Sequence, residues 1–397
     1  MNKPGVVGAF CVGLATIVLP IAAATPADKA KPAVAPAKPA GLQAEQSFSE
    51  KLGAKSPHWF FVMDANYLGY LDTKVYLFDG DTGSMLGMLS TGTWTNAVEF
   101  APDFSAIYVP EMYHSRGTRG ERMEVVSIYD TKELSFIAEV AIPPKRATGL
   151  PHRAYQGLSD DGRFVFVANM TPATSVSVVD VKARRFVTEI EMAGCNLVYP
   201  TGARSFASLC GDGTLQLVQL DEQGNVASKS HTEKFFDPNK DPVTEKASRF
   251  GDTWLFFSFN GMVHEVKFAL GKVEIGKPWP LFNDKERADN WKLGGSQFNA
   301  VHEGLSRLYV IVHQGGPFGH KDPGKQVWVY DLQTHKGVGQ IALNEPAINI
   351  GVTRDSEPLL ITDADGRRAI DVYDARTGKA LRTINGPPAN PSFIQIP

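Results

Sequence analysis

The chain has 397 residues, 43% of them hydrophobic, and a formal net charge of -3. That is apolar material for one large core or two ordinary ones, and all-β folds commonly reach this length as a single domain. Both signs of charge are spread along the chain without a basic stripe, which argues against nucleic acid as a partner.

The first element in chain order is a targeting segment. Lys3 precedes an uncharged apolar run from Val6 to Ala24, and Ala22 and Ala24 occupy the small-residue positions of a peptidase site. Residues 1–24 are therefore expected to be a signal peptide, with an uncut membrane anchor as the alternative because the run approaches spanning length. No later stretch is long and apolar enough to span, so the mature protein is expected to be exported and soluble. Residues 25–45, rich in Ala, Pro and Lys, bury too little to offset their ordering entropy and read as a flexible leader. The folded domain is expected over 46–397.

A repeat follows. Each copy has an aromatic or aliphatic run, then a run ending in Asp, then a turn and an alternating run. The pairs are Trp59 to Met63 with Val75 to Asp79, Ala106 to Val109 with Val125 to Asp130, and Phe164 to Ala168 with Val176 to Asp180. Next come Phe206 to Leu209 with Leu215 to Asp221, and Trp254 to Phe257 with Val263 to Phe268, which lacks the Asp. Leu308 to Val312 with Val327 to Asp331, and Leu359 to Thr362 with Ile370 to Asp374, complete the set. Copies recur about every 49 residues, the period of one four-stranded blade. The count predicts an all-β, seven-bladed β-propeller. The best helix candidate is Asn283 to Trp291.

The chain ends predict how the ring closes. Ile370 to Asp374, Ala380 to Ile384 and Ser392 to Ile396 would form a last blade of three strands. The N-terminal run Trp59 to Met63 would join it as the fourth and remove an exposed edge.

Of three cysteines, Cys11 leaves with the signal, so Cys195 and Cys210 remain for an oxidising compartment. They sit symmetrically about the Gly202–Ala203 bond of a hairpin pattern and are expected to bridge. Closing a loop of about 15 residues is worth roughly 3 kcal/mol. Two buried free thiols are the alternative.

Chemistry is sparse. The nine histidines show no zinc or copper spacing, so no metal site is expected, and no nucleophile elbow, phosphate loop or dinucleotide fingerprint occurs. His302-Glu303 reads as a solvated pair in a turn. Asn169-Met170-Thr171 matches a glycosylation acceptor, a match that often arises by chance. A propeller can still assemble a site across its channel from distant residues, so fold alone does not decide function.

Several stretches resemble the heavy subunit of the tryptophan tryptophylquinone amine dehydrogenases. They are Arg116-Gly117-Thr118-Arg119-Gly120-Glu121-Arg122, the hairpin ending Cys210-Gly211-Asp212-Gly213, and Asn283 to Trp291 with Gly294-Gly295 and His320-Lys321. Pro143-Pro144-Lys145-Arg146 and Thr171-Pro172-Ala173-Thr174-Ser175 are similar to the aromatic amine branch rather than the methylamine branch.

The resemblance implies a periplasmic α2β2 assembly that deaminates primary amines to aldehyde and ammonia. The quinone and catalytic base would reside in the small light subunit, leaving no catalytic residue and no cofactor in this chain. Electrons would pass to a blue copper protein of azurin or amicyanin type. The family's heavy subunit places an aromatic residue, usually Phe, near the substrate entrance from the loop after its first strand. The matching loop is Asp64 to Asp72, where Tyr67 fits best and a shift of one selects Leu68. A ring that merely packs between blades is the competing expectation. A self-sufficient lactonase-like propeller hydrolase with a channel metal, and a pure ligand-binding module, are the contrasting functions.

Overall fold

The computed structural model describes residues 50–65, 72–95, 97–146, 152–269 and 271–397. Seven antiparallel sheets follow one another, each with a path of four strands, and a single short α-helix appears among the described residues. The predicted seven-bladed propeller is the observed fold.

Blades pack face to face, so their central strands are apolar on both sides. The strand Trp59–Asp64 is buried throughout. Side chains alternate along a strand, and here the two sets enter different layers. Phe61 and Met63 join Ile107, Val109 and Tyr129 of the next blade. Phe60 and Val62 join Leu359, Ile361 and Val372 of the preceding one. At about 1.5–3 kcal/mol for each fully buried large side chain, such strands tie two blades at once.

The recurring Asp has a local purpose. It ends the third strand, and its carboxylate accepts the backbone N–H groups of the turn to the fourth. Asp79 takes Asp81 N at 2.7 Å, Asp130 takes Lys132 N and Glu133 N at 2.8 Å, and Asp331 takes Thr334 N at 2.8 Å. Asp374 repeats the arrangement with Arg376 and Thr377 at 2.9 Å. An Asx-type turn suits Asp because its short side chain reaches its own backbone two residues on.

Ring closure joins the first and last strands, with a different division from the one expected. Pro391–Gln395 pairs with Trp59–Asp64, followed outward by Thr73–Asp79 and Met85–Thr91. The closing blade thus takes three strands from the N-terminal side and one from the C-terminal side. The blade of Ile370 is already complete, because Ile350–Val352 serves as its inner strand. That strand has only three residues and offers no alternation to read.

Two further expectations change. The helix is Asp284–Ala288, started by an Asn283/Glu286 capping box. It stops short of Trp291 because Asn290 adopts φ 62° and the chain then enters the strand Trp291–Leu293. His302 is 2% exposed rather than solvated. Its Nε2 lies 2.8 Å from Asp355 O, and its Nδ1 accepts Leu305 N at 3.0 Å.

The inner strands splay around the channel, and an isolated parallel bridge, Gln297 to Asn349, links two of them where they begin. Side-chain amides bridge them elsewhere, satisfying backbone groups that would otherwise be left open. Gln395 exchanges two bonds with Val98 at 2.8 and 2.9 Å, and Gln297 exchanges two with Ile394 at 2.8 Å. Gln156 reaches Ala97 O at 2.6 Å and Asn299 reaches Lys246 O at 2.8 Å.

Candidate functional site

Strands alternate in direction within each blade, so the two ends of the ring receive different connections. One end, the turn face, gathers the first-to-second and third-to-fourth links, including the short Asp turns. The other, the loop face, gathers the hairpin tips between second and third strands and the longer passages between blades.

The loop face carries the cysteine pair expected from sequence. Cys195 and Cys210 are register partners there and form the expected disulfide, with an S–S distance of 2.02 Å. Tyr67 and Leu68 fall within 66–71, outside the described residues. The ends of their loop are firmly set. Asp64 is buried and accepts Ala389 N at 2.7 Å and Asn390 N at 3.0 Å. On the other side Lys74 holds Asp72 at 2.5 Å.

Next to this loop stands a hairpin of unusual length, Ala106–Arg116 with Arg119–Asp130. Its fourth-strand neighbour, Phe136–Ile142, pairs only with Glu124 to Tyr129. The remainder, with Arg116, Arg119, Glu121 and Arg122, extends past the sheet by roughly 15 Å at 3.3 Å per residue. At its base Glu111 is fully buried and accepts Ser127 Oγ at 2.6 Å and Tyr129 Oη at 2.7 Å. Tyr113 Oη donates to it as well. Burial raises the Glu111 carboxyl above the usual range, and these three donors pull the other way.

The same region joins the two stretches 143–146 and 171–175. Lys145 O accepts Met170 N at 2.8 Å and Thr171 N at 3.2 Å, and Arg146 forms a bridge with Asn169. Glu124 Oε2 holds Lys145 N and Arg146 N, each at 3.0 Å. Burial lowers the Arg146 guanidinium to about 10 in spite of Glu124, and its Nη1 has no hydrogen-bond partner among the described residues. Asn169 is no glycosylation acceptor here: its side chain is buried and donates to Ser175 and Ser177 at 3.0 Å.

Eleven large hydrophobic side chains are exposed among the described residues. Eight of them, such as Phe136 and Leu381, sit on the outermost strands of blades. The other three, Met123, Met170 and Phe318, belong to the loop face. Phe318 is 83% exposed, within the Gly-rich segment Gly315-Gly316-Pro317-Phe318-Gly319. The sequence reading passes over Phe318, for which the Gly residues flanking the ring are the available signal. Arg146 enters it only as part of the stretch Pro143-Pro144-Lys145-Arg146, where nothing local marks its burial.

A single group of His, Cys, Asp and Glu side chains has metal-binding proximity among the described residues, namely Cys195, Cys210 and His231. Both sulfurs are committed to the disulfide, so the group lacks thiolate ligands.

Comparison with known proteins now decides the family. The family model "Methylamine dehydrogenase heavy chain" matches residues 58–396. The chain belongs to the methylamine dehydrogenase heavy-chain family. The heavy chain of Methylophilus methylotrophus is 30% identical over 362 residues, covering 90% of this chain and 87% of that one. The heavy chain of Methylorubrum extorquens is 25% identical, with 98% and 95% covered. Among solved structures, a dihydro-heme d1 dehydrogenase matches with a TM-score of 0.54 at 18% identity, over 90% of this chain and 68% of that one. A putative 6-phosphogluconolactonase from Bacteroides fragilis matches with a TM-score of 0.55 at 12% identity, over 85% and 97%. These likenesses concern the propeller fold alone. No helix among the described residues is long and apolar enough to cross a membrane.

Proposed function

We propose that this chain is the heavy subunit of a periplasmic quinoprotein amine dehydrogenase and works as a scaffold whose loop face seats a small light subunit. The family match across residues 58–396 carries this reading. The loop face supports it with a projecting hairpin, an exposed Phe318 and the anchored ends of the entrance loop. Aromatic rings at such positions are favoured anchors in protein interfaces.

The light subunit's tryptophan tryptophylquinone supplies the oxidation of a primary amine to aldehyde and ammonia, and electrons leave to a blue copper protein. This chain's tryptophans do not fit that group. Trp291 and Trp328 lie in ring contact at 4.8 Å, but Trp328 is 5% exposed and packs on Phe282, where no amine can reach it. On this reading the chemistry belongs to the partner, in an α2β2 assembly. The role left to this chain is to position the light subunit and, through Tyr67 or Leu68, to shape the entrance.

The names of the relatives favour methylamine as the substrate. A second reading, an aromatic amine, is favoured by stretches 143–146 and 171–175, which the fold binds together beside the hairpin base. One experiment addresses both. The complex is purified from its native host through a tag on the heavy chain, and its absorption is recorded before and after adding methylamine or an arylalkylamine. A visible quinone band bleached by one of these amines is expected, with a co-purifying smaller chain. A tagged chain that purifies alone, or a complex without an amine-sensitive band, defeats the proposal.

A further inference from the structure

The channel mouth on the turn face holds more positive charge than its pairing accounts for. A cavity of about 550 Å³ opens there, lined by Lys55, Glu99, Phe100, Arg153, Arg354 and Asp355. It adjoins a channel volume of about 840 Å³. Most carboxylates around it are engaged. Asp160 takes both arms of Arg249 at 2.6 and 2.9 Å, and Glu303 accepts Gly251 N at 3.0 Å. Asp355 Oδ1 meets His58 Nε2 at 3.2 Å and accepts Glu357 N at 2.8 Å, while its Oδ2 has no hydrogen-bond partner among the described residues.

The cations are different. The guanidinium groups of Arg153 and Arg354 make no hydrogen bond or ion pair among the described residues, although both residues line the cavity. Burial, then the neighbouring Arg153 charge, holds the Arg354 guanidinium below its ordinary range. Lys55 is lowered in the same way, by burial and then by Arg354, and its ammonium lies 4.8 Å from the Phe104 ring centre. Two carboxyl groups remain: the terminal one of Pro397, which also lines the cavity, and Glu99, pushed up to about 7 by burial against the pull of Arg153 and Arg354. Glu99 thus supplies only part of a countercharge near neutral pH, and the three cations stay in excess.

Like charges gathered in a concave, partly desolvated site repel one another until an anion joins them. Guanidinium groups suit this task, since their planar forks match carboxylate and phosphate oxygens. The cavity volume fits a small ligand. We propose that Arg153, Arg354 and Lys55 at the channel mouth form a binding site for a small anion bearing a phosphate or carboxylate group. The site is on the opposite face from the seat assigned to the light subunit, and it does not depend on that assignment.

The test is calorimetric titration of the assembled complex at fixed low ionic strength, with inorganic phosphate and with succinate as probes. One saturable site per heavy chain is expected, and the tighter of the two probes assigns the anion class. Arg354→Gln and Arg153→Gln should each weaken binding at least tenfold, while Arg185→Gln, on an outer strand, should leave it unchanged. Arg354→Lys keeps the charge without the fork and serves if a glutamine variant fails to fold; it should weaken binding less than the loss of charge. Sulfate, whose charge is constant between pH 6 and 8, should bind several-fold more weakly at pH 8 as Glu99 ionises against Arg153, Arg354 and Lys55, and as His58, bonded to the lining residue Asp355, loses charge. Glu99→Gln should reduce that dependence to the smaller part carried by His58. No saturable binding of any probe, equal affinity in an Arg153→Gln/Arg354→Gln double variant, or sulfate binding that does not fall towards pH 8 would overturn the proposal.

Discussion

The two faces of the ring are built by different rules. On the turn face, one short motif recurs: an Asp ends the third strand and collects the N–H groups of the next turn, as at Asp79, Asp130, Asp331 and Asp374. On the loop face the described connections vary much more: the turns Cys210 to Thr214 and Ser258 to Met262 share one hydrogen-bond pattern, but others do not follow it. A long hairpin, a disulfide, a one-turn helix and an exposed phenylalanine stand at different places around it. Repetition serves the fold, which needs each blade to repeat the last. Departure from repetition marks where the molecule meets something else.

The contrast can be broken most severely at the seam. Removal of residues 25–45 should be tolerated, because they precede Trp59–Asp64, the first strand of the ring in chain order. Removal through Asp64 takes away the strand Trp59–Asp64, which separates Pro391–Gln395 from Thr73–Asp79. Two buried edges then open, and aggregation is expected. A soluble chain with an unchanged thermal midpoint after the longer truncation would refute the closure described here.

The covalent staple of the loop face comes next. Cys195→Ser should lower stability by roughly 3 kcal/mol, measured by denaturant unfolding under conditions where unfolding is reversible. Amine turnover of the assembled complex should persist, because the bridge holds a hairpin rather than a reacting group. A drop well below 1 kcal/mol would mean that the loop constraint contributes little.

A smaller effect is expected at His58, which ties the closing blade to its neighbour on the turn face. Its ring nitrogens meet Asp81 at 2.7 Å and Asp355 at 3.2 Å. Burial opposes its charge, but the two carboxylates outweigh it and raise the imidazole above its ordinary value of 6.5. A raised folded-state value gives stabilisation that is full below 6.5 and is lost as pH rises through the folded value. His58→Ala should therefore cost more at pH 5.5 than at pH 8.5, by no more than about 1 kcal/mol given partial solvent screening. An equal cost at both pH values would remove the ion pairs from the account.

The smallest expected effect on stability, and the most specific to function, belongs to the entrance loop. Tyr67→Ala or Leu68→Ala in the assembled complex should alter relative kcat/KM among amines of different bulk by about tenfold, or 1.4 kcal/mol. The quinone spectrum and thermal midpoint should barely move. If neither substitution shifts amine preference, the loop is structural.

What could be read in the sequence followed the same division. The middle strands were legible because Phe164–Asn169 or Leu359–Asp363 are long apolar runs with turn residues beside them. Two of the inner strands were not. Glu99–Phe100 and Ile350–Val352 are too short to show a period, and their places depend on amide bridges from residues far away in the chain. That is why the closing blade was divided wrongly. The cysteine pair was legible from hairpin symmetry alone. Arg153 and Arg354 of the channel mouth acquire meaning only when several blades converge, and no local spacing announces them.

The central claim, that the loop face is the seat of a partner, is tested most directly by amide hydrogen exchange on the heavy chain alone and in the purified complex. Protection on assembly is expected in the hairpin 112–122, in the segment 315–323 around Phe318, and in 170–174, with little change at the Asp turns 79–84 and 374–379. Protection confined to those turns, with the loop face exchanging equally in both states, would contradict it.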